Sequence, residues 1–149
     1  MSRGLGDVYK RQDHEGEELL ILFADLDHLK EINDSFGHIE GDFSIRHCAE
    51  VLKKVVGADG IVGRIGGDEF CVVTLGNLKD GQQIIERIRE ESDAFNCTSD
   101  KEYYVELSAG CTSVICRNGL VIADALREAD RALYEVKKLR RNSVKKIRL

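Results

Sequence analysis

The chain has 149 residues, of which 42% are apolar and 33% are charged, and it contains no Pro and no Trp. This length suits one domain with a buried core, and the apolar fraction is too high for a disordered chain. The longest apolar stretch, residues 19–24, is too short to span a bilayer, and no secretory signal segment is present. The composition therefore predicts a soluble, single-domain protein with no membrane segment.

The net charge of −5 argues against binding of nucleic acid, because domains that bind a duplex carry broad positive surfaces. The charge is uneven: residues 13–42 hold ten acidic side chains, whereas residues 137–148 hold seven basic ones. Such a basic tail is most often a solvated terminus, and phosphate binding is the sharper alternative. The five Cys show neither CxxC nor CxxH spacing, which indicates reduced thiols and a cytoplasmic location.

The first dozen residues have no periodicity, so residues 1–16 are set aside as a segment outside the domain, which is expected to span residues 17–149. Residues 19–24 form an apolar run that ends at Asp25 and predict a buried strand. A helix with Asp27 as its N-cap is expected to follow.

Residues 33–37 have turn composition, and Asp42 is expected to cap a second helix that ends at Gly57 and Gly60. Residues 61–65 and 69–75 are strand-like runs joined by Gly66, Gly67 and Asp68, which is a strong hairpin pattern.

The rest of the chain predicts an amphipathic helix over 79–95, an alternating strand over 103–115, a helix over 122–136 and a short strand over 144–149. Helices that cross over a sheet with a central hairpin indicate an α+β, ferredoxin-like sandwich.

The hairpin is the first candidate for chemistry. Two glycines allow positive φ angles and close approach of a ligand, and the adjacent carboxylates of Asp68 and Glu69 repel each other unless a cation or proton lies between them. Taken alone, this pattern indicates an ordinary tight turn.

Asp25 and Asp27 form a second acidic pair, where the first strand ends. A strand that presents a carboxylate at its end is a common Mg²⁺ ligand arrangement, and Asp25 and Glu69 can share metal ions if the strand neighbours the hairpin. Asp27 fits a helix cap better than a ligand.

Lys137 and Arg141 are four residues apart and share a helix face. They fit either ordinary basic residues at a helix end or a clamp on a polyphosphate. Acids, glycines and basic residues together describe a magnesium–nucleoside triphosphate pocket, and the absence of GxxxxGK[ST] excludes a P-loop.

These patterns resemble the GGDEF domain, the diguanylate cyclases, over about 130 residues. The matching segments occur in the order of that family: residues 23–38 (FADLDHLKEINDSFGH), 41–42 (GD), 64–70 (RIGGDEF), 108–110 (SAG), 129–137 (ADRALYEVK) and 141–142 (RN).

The resemblance implies a nucleotidyl-cyclase-type βααββαβ fold, related to the class III nucleotide cyclases and to polymerase palms. It also implies that two such domains, each holding one GTP, face each other as a homodimer and make cyclic di-GMP and two pyrophosphates. The expected cofactor is two Mg²⁺ per site, with Mn²⁺ as an alternative, and a sensory domain is expected elsewhere in the full-length protein.

Site residues carry over by position in the motifs. Asp25 and Glu69 are expected to bind metal together with the Leu26 carbonyl, and Asp68 to assist metal binding or deprotonation of the attacking hydroxyl. The residues expected to bind substrate are the backbone N–H groups of His28 and Leu29 and the residues Lys30, Asn33, Asp42, Gly66, Gly67, Lys137 and Arg141. Of these, Asn33 and Asp42 are expected to hydrogen-bond the guanine edge, and the three basic residues to contact phosphates.

Three departures from the family are visible. Residues 1–16 lack the usual helix and DxLTxLxNR turn, and residues 57–60 (GADG) lack the RxxD motif, so no inhibitory product site is expected. Ile65 stands where Tyr is common, and Arg140 stands where Gly is common, which affects the expected placement of Arg141.

The leading hypothesis is thus a diguanylate cyclase catalytic domain. The alternative is a truncated, inactive GGDEF module that binds GTP or mediates partner contacts, and the missing N-terminal elements favour it. The intact pair Asp68 and Glu69 favours the enzyme, because a binding module has no need of both acids. A purely structural dimerisation domain has no support in the sequence.

Overall fold

The computed structural model describes residues 17–115 together with residues 127, 130, 131, 133–135, 137 and 138. Its framework is a four-stranded antiparallel sheet in the order β2-β3-β1-β4. The strands are β1 (Glu18–Leu26), β2 (Ile61–Gly66), β3 (Glu69–Leu75) and β4 (Leu107–Ile115).

Three helices precede or connect the strands: α1 (Leu29–Phe36), α2 (His38–Val56) and α3 (Leu78–Thr98). The described residues from 127 to 138 are also helical. None of the helices in the described part of the chain has the length and apolarity needed to span a bilayer.

Both faces of β1 are buried, which explains why its sequence is a continuous apolar run rather than an alternating one. Leu20 and Leu22 point into a core shared with α2 and α3. Ile21 and Phe23 point to the opposite face, where Leu133 packs against them. The sheet therefore lies between helices on both sides, and the predicted α+β fold is confirmed.

Two helix starts differ from the sequence-based prediction. Residues 33–36 continue α1 instead of forming a turn, and Gly37 alone separates α1 from α2. Asp42 lies inside α2 rather than at its cap, because α2 begins at His38 with Gly37 as N-cap. The predicted Asp27 cap is also wrong, since His28 is the N-cap of α1 and the Asp27 carboxylate accepts hydrogen bonds from Ser108 instead.

The hairpin between β2 and β3 is confirmed, and so is the end of α2 at Gly57, whose φ of 84° suits glycine. The freedom of Gly66 and Gly67 to adopt positive φ is not used, since the positive-φ glycines of the described residues are Gly37, Gly57 and Gly76. A Cβ at Gly66 or Gly67 would meet nothing within 4 Å, so both face open space. The strand predicted from residue 103 begins only at Leu107, and the predicted strand over 144–149 lies outside the described residues.

His47 packs between aromatic rings on the α2–α3 side, with its ring centroid 4.0 Å from that of Phe95 and 6.0 Å from that of Phe43. Its Nε2 is buried and has no hydrogen-bond partner among the described residues. Burial lowers the pKa of His47, because the charged imidazolium loses more hydration than the neutral ring.

A substitution at His47 tests whether burial lowers the pKa of this side chain in the folded state. Since the pKa of the folded state lies below the ordinary 6.5, the unfolded chain takes up the proton first, and stability falls as the pH drops through that value. When the pH is lowered from 7.5 to 5.5, the free energy of unfolding measured with urea should decrease less for His47→Phe than for the parent. His38→Gln, at an exposed position of the same helix, is the control and should track the parent. An equal loss in the His47→Phe variant would contradict the assignment.

Candidate active site

The site is built where β1 and β3 end side by side. Asp25 and Glu69 are direct partners in the antiparallel register, so their side chains leave the sheet next to each other. Asp68 occupies the turn before β3, and its carbonyl accepts a 2.9 Å hydrogen bond from the Leu26 N–H, which ties the turn to the end of β1. Asp25, Asp68 and Glu69 each place one carboxylate oxygen within 4.8 Å of the other two. The expected neighbourhood of Asp25 and the hairpin is confirmed.

Asp25 is the most unusual side chain of this cluster, because it is a carboxylate with only 1% exposure. Its Oδ2 accepts a hydrogen bond from Lys137 Nζ, whereas Oδ1 is buried and has no partner among the described residues. Burial raises the pKa of Asp25 to about 7, against the opposing hydrogen bond from Lys137 and with a further contribution from the charge of Asp68.

This donor set fits a divalent cation with a preference for oxygen. Carboxylates are the ligands that Mg²⁺ takes in proteins, and a cation among three acids relieves their repulsion. The partnerless Oδ1 of Asp25 supplies a buried lone pair for it. The open space around Gly66 and Gly67 leaves room for further ligands from outside the chain.

Asp27 is fixed on the β4 side of the same end of the sheet. Both of its carboxylate oxygens lie 2.8 Å from Ser108 Oγ, and its N–H donates a 2.9 Å hydrogen bond to the Glu106 carbonyl. No local sequence pattern points to Ser108 or Glu106 individually as part of the site. The signal for Ser108 was its place in the SAG segment of the resemblance, but its pairing with Asp27 depends on the β1–β4 register.

A cavity of about 350 Å³ opens beside these acids. The residues that line it come from the end of β1, the start of α1, the hairpin and β4: Asp25, Leu26, Asp27, His28, Leu29, Lys30, Glu31, Asp68, Glu106, Ser108 and Lys137. His28 has a left-handed conformation with φ 61°, which is uncommon for a non-glycine residue and is found at ligand sites. His28 and Leu29 both line the cavity at the start of α1. The N–H groups of a first helical turn lack intrahelical partners, so the role of these two as phosphate donors stays a prediction.

Asn33 and Asp42 lie outside the lining of this cavity, on α1 and α2. The two helices approach closely at Gly41, where a Cβ would come within 1.8 Å of the Asn33 Oδ1. Asn33 therefore lies directly over Gly41 and beside the turn that carries Asp42. Arg141 lies outside the described residues.

The profile of the family described as "Diguanylate cyclase, GGDEF domain" matches residues 1–143. The chain belongs to the GGDEF family. This match includes residues 1–16, and the domain boundary at residue 17 stays a prediction. The GGDEF domain is 34% identical over 146 residues to the diguanylate cyclase DgcP of Pseudomonas aeruginosa, covering 95% of this chain and 21% of that protein. It is 36% identical over 137 residues to the diguanylate cyclase DgcP of Escherichia coli, covering 90% of this chain and 40% of the relative.

Solved structures show the same fold. The active GGEEF domain of a diguanylate cyclase from Vibrio cholerae superposes with a TM-score of 0.80 at 29% identity, covering 99% of this chain and 92% of that one. The GGDEF domain of DgcB from Caulobacter crescentus, in complex with c-di-GMP, superposes with a TM-score of 0.82 at 26% identity, covering 97% and 86%. The chain thus spans nearly all of these isolated domains but well under half of the curated relatives named above.

The buried Asp25 predicts a specific pH dependence of stability. Its folded-state pKa of about 7 lies above the ordinary 3.8, so its contribution to stability is present at acidic pH and is lost as the pH rises through 7. With a chelator present, we compare the free energies of unfolding of Asp25→Asn and of the parent at pH 4.5 and at pH 8. From the lower to the higher pH, the variant should gain roughly 2–4 kcal/mol relative to the parent. Urea unfolding at both pH values measures the difference, with the exposed Asp34→Asn as control. If the difference in unfolding free energy between variant and parent did not change with pH, the raised pKa of Asp25 in the folded state would be contradicted.

Proposed function

We propose that this GGDEF domain is the catalytic domain of a diguanylate cyclase, which condenses two GTP into cyclic di-GMP and releases two pyrophosphates. The observation that carries the proposal is the convergence of Asp25, Asp68 and Glu69. Two of these acids, Asp25 and Asp68, line a cavity together with Lys137 and the start of α1. Acidic metal ligands, a cation and free N–H groups are the parts that a nucleoside triphosphate requires. The relatives named as diguanylate cyclases support the same reaction.

Asp25 and Glu69, with the Leu26 carbonyl, are the residues that would hold two Mg²⁺, or Mn²⁺ in their place. When bound, the metals lower the pKa of the ribose 3′-hydroxyl and neutralise charge on the leaving pyrophosphate. Asp68, in the same cluster as the two ligands, assists metal binding or accepts the proton of the attacking hydroxyl.

The cations and backbone donors around the cavity hold the triphosphate. Lys30 is exposed at the first turn of α1, next to the N–H groups of His28 and Leu29. Lys137 is half exposed, so its flexible ammonium can exchange Asp25 for a phosphate oxygen. Arg141 would extend this clamp, and Gly66 and Gly67 leave room for the phosphates to approach.

Asn33 and Asp42 read the guanine edge in this proposal. An Asp carboxylate accepts from the guanine N1–H and amino group, whereas adenine offers no matching pair of donors. The close contact between Asn33 and Gly41 supports a shared role, because it brings the two side chains to the same end of the α1–α2 pair.

Each half-site supplies one nucleophile and one electrophile, so the reaction requires a homodimer of such domains. The chain spans only 21% and 40% of its two named relatives, which supports a larger, multidomain protein with a sensory domain. A cytoplasmic location, where GTP is available, is part of the proposal.

Glu69→Gln tests the reaction. An amide is nearly the same shape as the carboxylate but is a poor Mg²⁺ ligand, so turnover of GTP to cyclic di-GMP should fall on the order of 10³-fold or more. The assay incubates GTP and Mg²⁺ with the protein and separates the product by chromatography. Glu90→Gln, the same change at an exposed position of α3, should retain parental activity. A parent that binds GTP and metal without forming product would identify the inactive module instead.

The base-reading assignment predicts nucleotide choice. GTP should bind roughly 10²-fold or more tightly than ATP, because adenine would leave polar groups of the site unpaired. Gly41→Ala should reduce this preference, since the added Cβ displaces the Asn33 amide, while the helix itself gains about 1 kcal/mol from replacing glycine. Calorimetric titrations of both nucleotides and urea unfolding measure the two effects. Equal affinity of the parent for GTP and ATP would refute the assignment.

A further inference from the structure

A polar cluster outside the cavity joins the first turn of α2 to the loop before β4, residues 99–106. Glu40 Oε1 accepts a 2.7 Å hydrogen bond from the Tyr103 hydroxyl and lies 2.8 Å from Lys101 Nζ. The Glu40 and Lys101 side chains are each about one-third exposed, so water does not fully screen their attraction. We call Glu40, Lys101 and Tyr103 the Glu40 clamp.

Aromatic contacts extend the clamp to both helices of the α1–α2 pair. The Tyr103 ring packs on Phe36 at the end of α1, with a centroid separation of 5.1 Å. Lys101 Nζ lies 4.5 Å from the centroid of the Phe43 ring on α2, within range of a cation–π interaction. Burial, together with the hydrogen bond to Glu40, raises the pKa of Tyr103 to about 12, so the phenol stays protonated as a donor.

The loop that carries Lys101 and Tyr103 is itself anchored. The Asn96 side chain donates to the Val105 carbonyl at 3.0 Å and accepts from the Val105 N–H at 2.9 Å. The next residue, Glu106, accepts the hydrogen bond from the Asp27 backbone at the candidate active site. The clamp therefore connects α2 to a loop that is itself hydrogen-bonded to Asn96 of α3 and to Asp27 after β1.

Helix α2 needs such an anchor, because its N-cap is Gly37 and no side chain caps it. The amides of a first turn without a capping side chain lack intrahelical partners, so this turn depends on other contacts to hold its position. Glu40 lies in this first turn, directly before Gly41 and two residues before Asp42.

We propose that Glu40 is a positioning residue that fixes the first turn of α2 and thereby sets Asn33 and Asp42 for the guanine edge. Asn33 lies against Gly41, so any movement of that turn moves both base-reading side chains relative to each other. This inference rests on the proposed function, and it assigns to Glu40, Lys101 and Tyr103 an effect on base preference without contact to the nucleotide.

The experiment compares Glu40→Ala and Tyr103→Phe with Glu91→Ala. The control removes the ion pair between Lys54 and Glu91, 3.0 Å apart, which joins the other end of α2 to α3. We expect the clamp variants to bind GTP roughly 3–10-fold more weakly in calorimetric titrations, with ATP binding unchanged. Their KM for GTP should rise, whereas their kcat should stay within about twofold of the parental value. Glu40→Gln, which still accepts the Tyr103 hydrogen bond, should be intermediate, and Glu91→Ala should keep the parental preference.

Hydrogen exchange without nucleotide gives an independent measurement, since the clamp variants should exchange the amides of residues 38–44 faster than the control does. Unchanged exchange there, parental nucleotide preference in Glu40→Ala, or equal loss of GTP and ATP binding would overturn the positioning role. A parent that does not distinguish GTP from ATP would overturn the base-reading assignment itself, and this is seen before any variant is made.

Discussion

The antiparallel register between β1 and β3 is the constraint on which the rest of the site depends. It places Asp25 opposite Glu69, and the hydrogen bond from the Leu26 N–H to the Asp68 carbonyl holds the hairpin turn against the end of β1. A slip of one residue would turn Asp25 to the other face of the sheet and separate the acids. The register is secured by apolar packing on both faces of β1, so the core of the domain is what aligns its polar site.

Asp25 is a buried carboxylate whose charged form destabilises the folded domain, and the rest of the fold compensates for it. The carboxylate is buried at the end of an apolar strand, and Lys137 offsets only part of the loss of hydration, because one carboxylate oxygen remains without a partner among the described residues. Buried groups of this kind are found where a cation or substrate completes the environment. The rest of the framework supplies the compensating stability, through aliphatic side chains packed between two layers of helix.

The sequence was sufficient to predict the elements and the acidic residues of the site, but not where the helices start. Apolar runs and the Gly-Gly-Asp turn identified β1 and the hairpin, because burial and turn geometry act on local sequence. Asp27 and Asp42 were assigned as caps on local preference alone. Asp27 instead makes a tertiary contact, because Ser108, from a strand far along the chain, donates a hydrogen bond to its carboxylate. Asp42 is not a cap for a local reason: the single residue Gly37 makes the turn, so α2 starts earlier. The Glu40 clamp likewise depends on a loop whose position no local pattern reveals.

The connections across β1 have a consequence for the order in which the domain assembles. Asp27 and Ser108 are 81 positions apart in the chain, and Asp25 and Lys137 are 112 positions apart. Contacts of such long range form late in folding, because closing large loops is entropically unfavourable until other structure has formed. During synthesis, β1 and the β2–β3 hairpin can pair well before Lys137 leaves the ribosome. For that interval the carboxylate of Asp25 lacks the hydrogen bond from Lys137 that it accepts in the finished fold.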